Sequence, residues 1–443
     1  MAKYIPFYKN NLCLAFPVIL SHAGQITVSL ADNIMVGHVG TTELAAAAFA
    51  NNIFVVGMFF GMGITIGSTP LVGRAFGNNR VEDVVQWLKN GIFTHFSSSV
   101  VLSLLMFGVY FFLPFMGQTD SVLELAKPYY LILCFSYLPF MLFFSVKQFF
   151  EGIGNTKIAM QITLIVNVIN IGVNYVLIYG KLGFPAMGLL GAGIGTLVSR
   201  IAMPLLYLIY IIRITRFRKY FTLAHRQPYS LQRISALLKI GIPVGFQIVI
   251  EGITFSLGAI MMGWLGEIPL AAHQVAIGLA SFSYMISLGI SQATTIRVSH
   301  QLGKNDYKSL KMAAYASTHM VLLFMMCMGL FFIFARKQLP LIFTADADVI
   351  AVAAQLLIVA AIFQVFDGLQ VVMLSTLRGM ADVRIPMFMA FASYILVGIP
   401  TGYLFAFFVG VGPMGIWYGY LLGLGLAGIL FYFRFKHNIA SKL

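Results

Sequence analysis

PVILSHAGQITVSLADNIMVGHVG (17–40) and PVGFQIVIEGITFSLGAIMMGWLG (243–266) are two versions of one apolar stretch, 226 residues apart. Each opens on a proline, each closes on Gly-x-x-Gly, and each carries one carboxylate deep inside: Asp32 in the first, Glu251 in the second. The same shift runs without a gap from 17–80 onto 243–306, where sixteen of 64 positions are identical. Pro17/Pro243, Val18/Val244, Gly37/Gly263, Gly40/Gly266, Ala45/Ala271, Gly77/Gly303 and Asn79/Asn305 are among them. A shift of 227 then pairs EGIGNTKIAM (151–160) with RGMADVRIPM (378–387), and Met187-Gly188 with Met414-Gly415. The chain is a duplication, so the class of one half is the class of both.

That class is membrane-spanning. Hydrophobic residues make up 60% of the 443 and charged residues 9%, against about 25% charged in a soluble domain. A helix crossing a bilayer needs about 20 mostly apolar residues. Twelve such helices are predicted, at 12–37, 45–74, 84–112, 122–148, 158–180, 187–213, 234–262, 270–299, 312–335, 348–376, 385–409 and 413–434. The first is too long for the core of a signal peptide and reads as an uncleaved membrane helix. The fold expected is an all-α membrane protein of twelve transmembrane helices in two homologous six-helix bundles, residues 1–220 and 221–443. An even number of helices per half keeps both halves in one orientation, the parallel-repeat arrangement of transporters whose substrate sites lie near mid-membrane between the repeats.

The net charge of +14 would suit a nucleic-acid binder, but its distribution does not. All but four of the 28 Lys and Arg fall on one side of the predicted topology; Lys127, Lys181, Arg336 and Lys337 are the exceptions. Cytoplasmic loops carry such an excess, so both termini are expected in the cytoplasm. The richest cluster (Arg213, Arg216, Arg218, Lys219, Arg226, Arg233) reads as a solvated linker between the halves. Cys13, Cys134 and Cys327 read as free thiols. No phosphate loop and no nucleophile–base motif is present, so no enzyme is expected.

Three acids inside apolar stretches carry the chemistry: Asp32, Glu251 and Asp367. A carboxylate at the bilayer centre costs about 2.5–3.5 kcal/mol on insertion scales, and such residues usually face a cavity and handle cations or protons. Ser21, Gln25, Ser29 and Asp32 share a helical face, as do Thr163, Asn167, Asn170 and Asn174 on the fifth predicted helix. Facing each other, these stripes would form an oxygen-rich pocket, suited to Na⁺ by analogy with other hard cations. The asparagines could equally serve as hydrogen-bonding glue between helices. Glu251 has Gln247 one turn before it and Thr254 three residues on; Asp367 is flanked on its face by Gln364 and Gln370. This second pair could hold Na⁺ or carry H⁺. Pro17 and Pro243 can bend their helices and so let them move. Lys147 and Glu151 are spaced to pair, Arg200 is expected to cap the inner half of its helix by snorkelling, and His22, His95, His273 and His319 lack metal-ligand spacing.

These segments resemble one family. FPVILSHAGQITVSLADNIMVGHVG is similar to the first helix of multidrug and toxic compound extrusion (MATE) transporters. GIPVGFQIVIEG resembles their seventh, FQVFDGLQVVMLSTLRGMADVRIP their tenth, and NIGVNYVLIYGKLGFPAMGLLGAGIGT their fifth and sixth, the NorM-like branch fitting best. The resemblance implies a V-shaped pair of lobes in the inner (plasma) membrane. It implies export of small organic cations and drugs in exchange for Na⁺ or H⁺ by alternating access. No cofactor beyond the coupling ion, no nucleic acid and a monomer in the lipid bilayer are expected. Carried over by motif, Asp32, Asn170, Asn174 and Thr196 match the cation site of the N-lobe, and Glu251 and Asp367 the acidic pair of the C-lobe. Some members have Asp where Asn174 stands, and Tyr where Phe363 stands. The wider superfamily offers a flippase of lipid-linked oligosaccharides as the alternative, but such a protein should line its cavity with basic residues, whereas the deep charges here are acidic. A membrane-embedded hydrolase with an acid dyad fits the duplication less well.

Overall fold

Lipid offers no hydrogen bonds, so an apolar run inserted in a bilayer must pair its own backbone, and the helix does so within one segment. The computed structural model describes residues 2–441, and helix is its only regular structure among them. Twelve helices among the described residues are long and apolar enough to cross a membrane: α1 Ile5–Gly37, α2 Thr41–Gly77, α3 Val81–Tyr110, α4 Asp120–Gly152, α5 Thr156–Tyr179, α6 Gly188–Arg213, α7 Leu231–Leu265, α8 Glu267–Gly303, α9 Tyr307–Phe334, α10 Ala347–Gly379, α11 Arg384–Phe408 and α12 Pro413–Ala440. Number and order agree with the hydropathy pattern; several ends lie further out. α1 begins at Ile5 and α8 runs on to Gly303, because polar residues beyond an apolar core can continue the helical hydrogen-bond ladder.

The duplication reappears in the backbone. Asn79 and Asn305 take left-handed conformations, φ 54° and 57°, at matched turns. Gly154 and Ala381 do so at the next matched turn, φ 82° and 61°, and Gly183 and Gly410 at a third, φ 86° and 78°. Asparagine tolerates this region and glycine favours it; Ala381 is the costly member. The basic cluster expected as a linker contains a helix, Thr215–Arg226, which buries Phe217 and Ala224 while Arg216, Arg218, Lys219 and Arg226 stay exposed. α11 loosens into π-helical turns at Ala392–Gly398 and Leu404–Phe408, on either side of Pro400, which supplies no N–H to the ladder. Its Gly398 and Gly402 lie against Gly419 of α12 at backbone-contact distance, a small-residue interface of the kind membrane helices use for close approach.

Packing divides the chain into two units, Leu20–Gly245 and Met1–Ile19 with Phe246–Leu443. The cuts fall inside α1 and α7, just beyond Pro17 and Pro243. The opening half of α7 therefore belongs with the N-terminal unit, where Gly241 and Gly245 press on the backbone of α2 at Ile64 and Phe60. The opening half of α1 belongs with the C-terminal unit: Asn11 Nδ2 donates to the Ala313 carbonyl (3.1 Å) and to Ser317 Oγ (2.7 Å). The two exchanges are one contact made twice. Gly63 meets Gly245, and its repeat mate Gly289 meets Ile19, the mate of Gly245. The N-terminal unit is cored by Tyr130, Tyr137, Phe143, Phe150 and Tyr207, the C-terminal one by Tyr394, Trp417, Tyr420, Phe431 and Phe435.

A Cβ on Gly241 would stand 2.6 Å from the Ile64 carbonyl oxygen, whereas one on Gly108 would meet nothing within 4 Å. Gly241→Val is expected to destabilise the purified protein by about 1–3 kcal/mol through overpacking. Gly108→Ala is expected to stabilise it by up to about 1 kcal/mol through helix propensity; thermal unfolding in detergent measures both. Asp306 caps α9, accepting from the Ser309 backbone N–H at 2.9 Å. Its bonds to the Ser309 side chain and backbone hold its carboxyl below the ordinary range. That contribution is complete above the ordinary aspartate pKa of about 3.9 and fades as pH falls through the lower folded value. Asp306→Ala should lower the melting temperature at pH 7, and the gap should close on acidification towards pH 3.

Candidate functional site

In the N-terminal unit, α1 and α5 bring their polar faces together. Asn174 Nδ2 donates to Asp32 Oδ1 at 2.6 Å and to Asn170 Oδ1 at 3.1 Å. Asn174 is fully buried and Asn170 nearly so, so these two asparagines, one turn apart, are committed to the carboxylate, whereas Thr163 Oγ1 and Asn167 Nδ2 of the same stripe are buried without a hydrogen bond among the described residues. Gly195 of α6 makes room for it: a Cβ there would overlap Asn174 Oδ1. That oxygen is itself buried without a hydrogen bond among the described residues. Thr196, next to Gly195, and Gln25, two turns before Asp32, are half-buried and make no hydrogen bond among the described residues.

Arg200 departs from expectation. Instead of reaching for the helix end, it donates from Nη1 to Ser136 Oγ at 2.7 Å. Its guanidinium carbon lies 5.0 Å from the Phe54 ring centroid and 4.6 Å from that of Phe140. Arg200 and Tyr129 both interact electrostatically with Asp32, and Asn51 Nδ2 donates to Tyr129 Oη at 3.3 Å.

The C-terminal unit places its acids differently. Glu251 Oε1 accepts from Tyr284 Oη at 3.2 Å. Arg378, near the end of α10, interacts electrostatically with Glu251 and donates from Nε to Gln247 Oε1 at 3.0 Å. Gln247 Nε2 continues to the Val383 carbonyl at 2.9 Å, so Gln247 tethers the arginine one turn from the glutamate. Asp367 is 5% exposed, and its Oδ1 is buried without a hydrogen bond among the described residues. Asp367 and Glu251 interact with each other, and Tyr284 and Tyr394 interact with both. Gln364 Oε1 accepts from Ser283 Oγ at 2.8 Å. Ser287 Oγ is buried without a hydrogen-bond partner among the described residues, and Tyr394 has the Gln370 side chain beside it. Phe363 closes an aromatic wall with Trp417 at 5.5 Å and with Phe255 and Tyr420 at 6.4 Å.

No group of three or more His, Cys, Asp or Glu able to hold a metal occurs among the described residues. A cation here would draw on amide, hydroxyl and carboxylate oxygens; Asn174 Oδ1 and Asp367 Oδ1 are site oxygens with capacity to spare. Two other expectations resolve simply. Lys147 and Glu151 form a buried ion pair at 3.6 Å. His95 Nδ1 bonds Ser145 Oγ at 2.8 Å, and His273 Nδ1 bonds Trp417 Nε1 at 3.2 Å.

The model of one protein family, MatE, matches the chain twice, over residues 17–176 and again over 243–404. The chain belongs to the MatE family. The probable multidrug resistance protein NorM of Agrobacterium fabrum is 31% identical over 442 residues, covering 98% of this chain and 94% of the relative. The multidrug resistance protein MdtK of Yersinia pseudotuberculosis is 31% identical over 444 residues, covering 98% and 96%. Among solved structures, the eukaryotic MATE transporter AtDTX14 superposes with a TM-score of 0.87 at 21% identity over 99% of this chain and 98% of that one. The Vibrio cholerae MATE transporter VcmN in its bent form does so with 0.88 at 17% identity over 100% and 99%. At those identities the likeness is one of fold. MatE proteins are transporters and not enzymes, and this MatE chain is a multi-pass membrane protein.

Sequence reasoning missed Arg200 and Arg378 as members of these clusters, and Tyr284 and Tyr394 beside the C-terminal acids. Arg378 lies at the end of its segment, where hydropathy assigns it to the interface; Arg200 lies midway along α6, where a long side chain can turn to the interface or to neighbouring rings; the tyrosines are two among twenty with no motif of their own. The Asp32–Asn174 bond makes a coupled prediction. Gly195→Ala should destabilise the protein by about 1–3 kcal/mol by pushing on Asn174, and Asn174→Ala by a similar amount through loss of a charge-assisted bond. The double variant should lose less than the sum of the two, because the shortened side chain at 174 leaves the added methyl group nothing to displace. Strict additivity in thermal unfolding would refute the contact.

Proposed function

We propose that this MatE chain exports small organic cations and drugs from the cell in exchange for Na⁺ or H⁺ by alternating access. It would work as a monomer in the inner (plasma) membrane, with both termini cytoplasmic. The observation that carries this reading is Asp367: a buried carboxylate with one oxygen left unpaired among the described residues, interacting with a second buried acid, Glu251. An unpaired acceptor in an apolar interior is costly unless something fills it in the working cycle. A cation or a proton is the group that fits. The names borne by the NorM and MdtK relatives support drugs as the exported cargo.

The chain's own residues divide the work. Glu251 and Asp367 hold the coupling cation, with Tyr284 oriented on Glu251 and Gln247 holding Arg378 beside it. Asp32, Asn170 and Asn174, with Gln25 and Thr196 alongside, form the N-terminal cation site, Asn174 being the donor that fixes the Asp32 carboxylate. The cargo cation and the coupling cation then compete for carboxylates, and that competition links their opposite movements. Pro17 and Pro243 mark the points in α1 and α7 where bending would accompany the cycle.

Efflux of a fluorescent organic cation from proteoliposomes, with Na⁺ and H⁺ gradients imposed separately, tests the assignment. Asp367→Asn keeps the shape and removes the charge. It should lower gradient-driven efflux at least tenfold, a loss of about 1.4 kcal/mol or more of coupling, while leaving the protein folded. Wild-type efflux from this variant under either gradient would overturn the role given to Asp367.

A further inference from the structure

We propose that Phe54 and Phe140 form a binding subsite for the exported organic cation, and that Arg200 fills it as a built-in substitute until cargo displaces it. The inference rests on the export reading above and adds the place where cargo sits in the N-terminal unit.

The geometry is that of a cation cage. A planar, delocalised cation lies 5.0 Å and 4.6 Å from two ring centroids, both inside the distance at which ring faces attract cations. The rings are 2% and 8% exposed, so the attraction is little weakened by solvent. Phe140 is braced by Phe144 at 4.7 Å and Phe54 by Tyr137 at 6.1 Å, which holds both rings in the orientation that faces the cation. Met58 Sδ lies 4.0 Å from Arg200 Nη2 and adds a soft, adaptable wall.

Arg200 occupies this cage loosely. Guanidinium carries five N–H donors, yet Ser136 Oγ is its only oxygen acceptor among the described residues. A carboxylate is near enough to interact, Asp32, but no ion pair forms between them among the described residues; Asp32 is bonded to Asn174 instead. Arg200 is also partly exposed, so it can leave without breaking the core. Swinging out, it would gain the Asp32 carboxylate as a partner, offsetting the contacts it gives up to the guest.

The duplication supports the same assignment. Phe140 stands 227 residues before Asp367, the shift that aligns this part of the repeat. One position thus carries a group able to attract a cation in both halves, a carboxylate in the second and a ring face in the first. The mate of Arg200 is Ala427, fully buried, so the second half has no tethered cation at the corresponding place. The ligand class follows from the cage: monovalent, delocalised or quaternary organic cations, for which ring faces are selective against small hydrated ions.

Equilibrium binding of tetraphenylphosphonium to the detergent-purified full chain tests this. Arg200→Ala should bind the probe about tenfold more tightly than wild type, because the competitor is gone, and Phe140→Leu added to it should abolish the gain. Unchanged or weaker binding by a folded Arg200→Ala protein overturns the proposal. Should that variant not fold, Phe140→Trp keeps Arg200 and places a fluorophore in the cage. Saturating probe should shift its emission, measured against the wild-type background, and no shift would count against the cage. Wild-type protein that exports organic cations but fails these tests refutes the subsite alone. Protein that neither binds nor exports them refutes the export reading as well.

Discussion

A charge taken out of water must be answered by groups the chain itself supplies, and most of what is distinctive here follows from that requirement. Asp32 is answered by an amide whose own room is guaranteed by a missing side chain at Gly195. Glu251 is answered by a phenol and by an arginine that a glutamine holds in place. Asp367 is answered only in part. The gradation matters, because a fully satisfied buried charge is an element of structure, whereas an incompletely satisfied one is poised to take something up. The twelve helices bring three acids into these three states.

The two halves start from one plan and depart from it where chemistry is concerned. Turns, glycine contacts and proline positions are duplicated; the charges are not. Glu251 has Gln25 as its mate, Asp32 has Gly258, and Glu151, bonded to Lys147 in a closed pair, has Arg378. Duplication preserves what packing demands of the backbone and leaves side chains facing the interior free to diverge. Each half then surrounds its buried charges with different groups, one richer in amides and ring faces, the other in acids and phenols.

Much of this was legible in the residues, for identifiable reasons. The spans could be read because the bilayer imposes length and polarity together. The Asp32–Asn174 pairing could be read because two polar stripes at helical spacing, in helices that must bury them, have few other choices. Arg200 was misread because a snorkelling chain and a ring-bound one carry the same sequence signal; the difference lies in Phe54 and Phe140, which reach it from two other helices. The helix at Thr215–Arg226 was missed because its density of basic residues hides the only two buried anchors among its described residues, Phe217 and Ala224.

The exchange of helix halves has a consequence for how the molecule is made. Residues up to Ile19 are synthesised before the rest of their unit, which begins again only at Phe246. The opening of α1 must therefore wait, inserted but unsatisfied, until α8 and α9 have been synthesised. Its contact with Ala313 and Ser317 spans some three hundred residues, and closing so long a loop is slow. Neither repeat is thus an autonomous building block. A half-length ancestor of this chain would have needed a second copy of itself to lend it the first half of a helix, and the fused gene retains that loan within a single polypeptide.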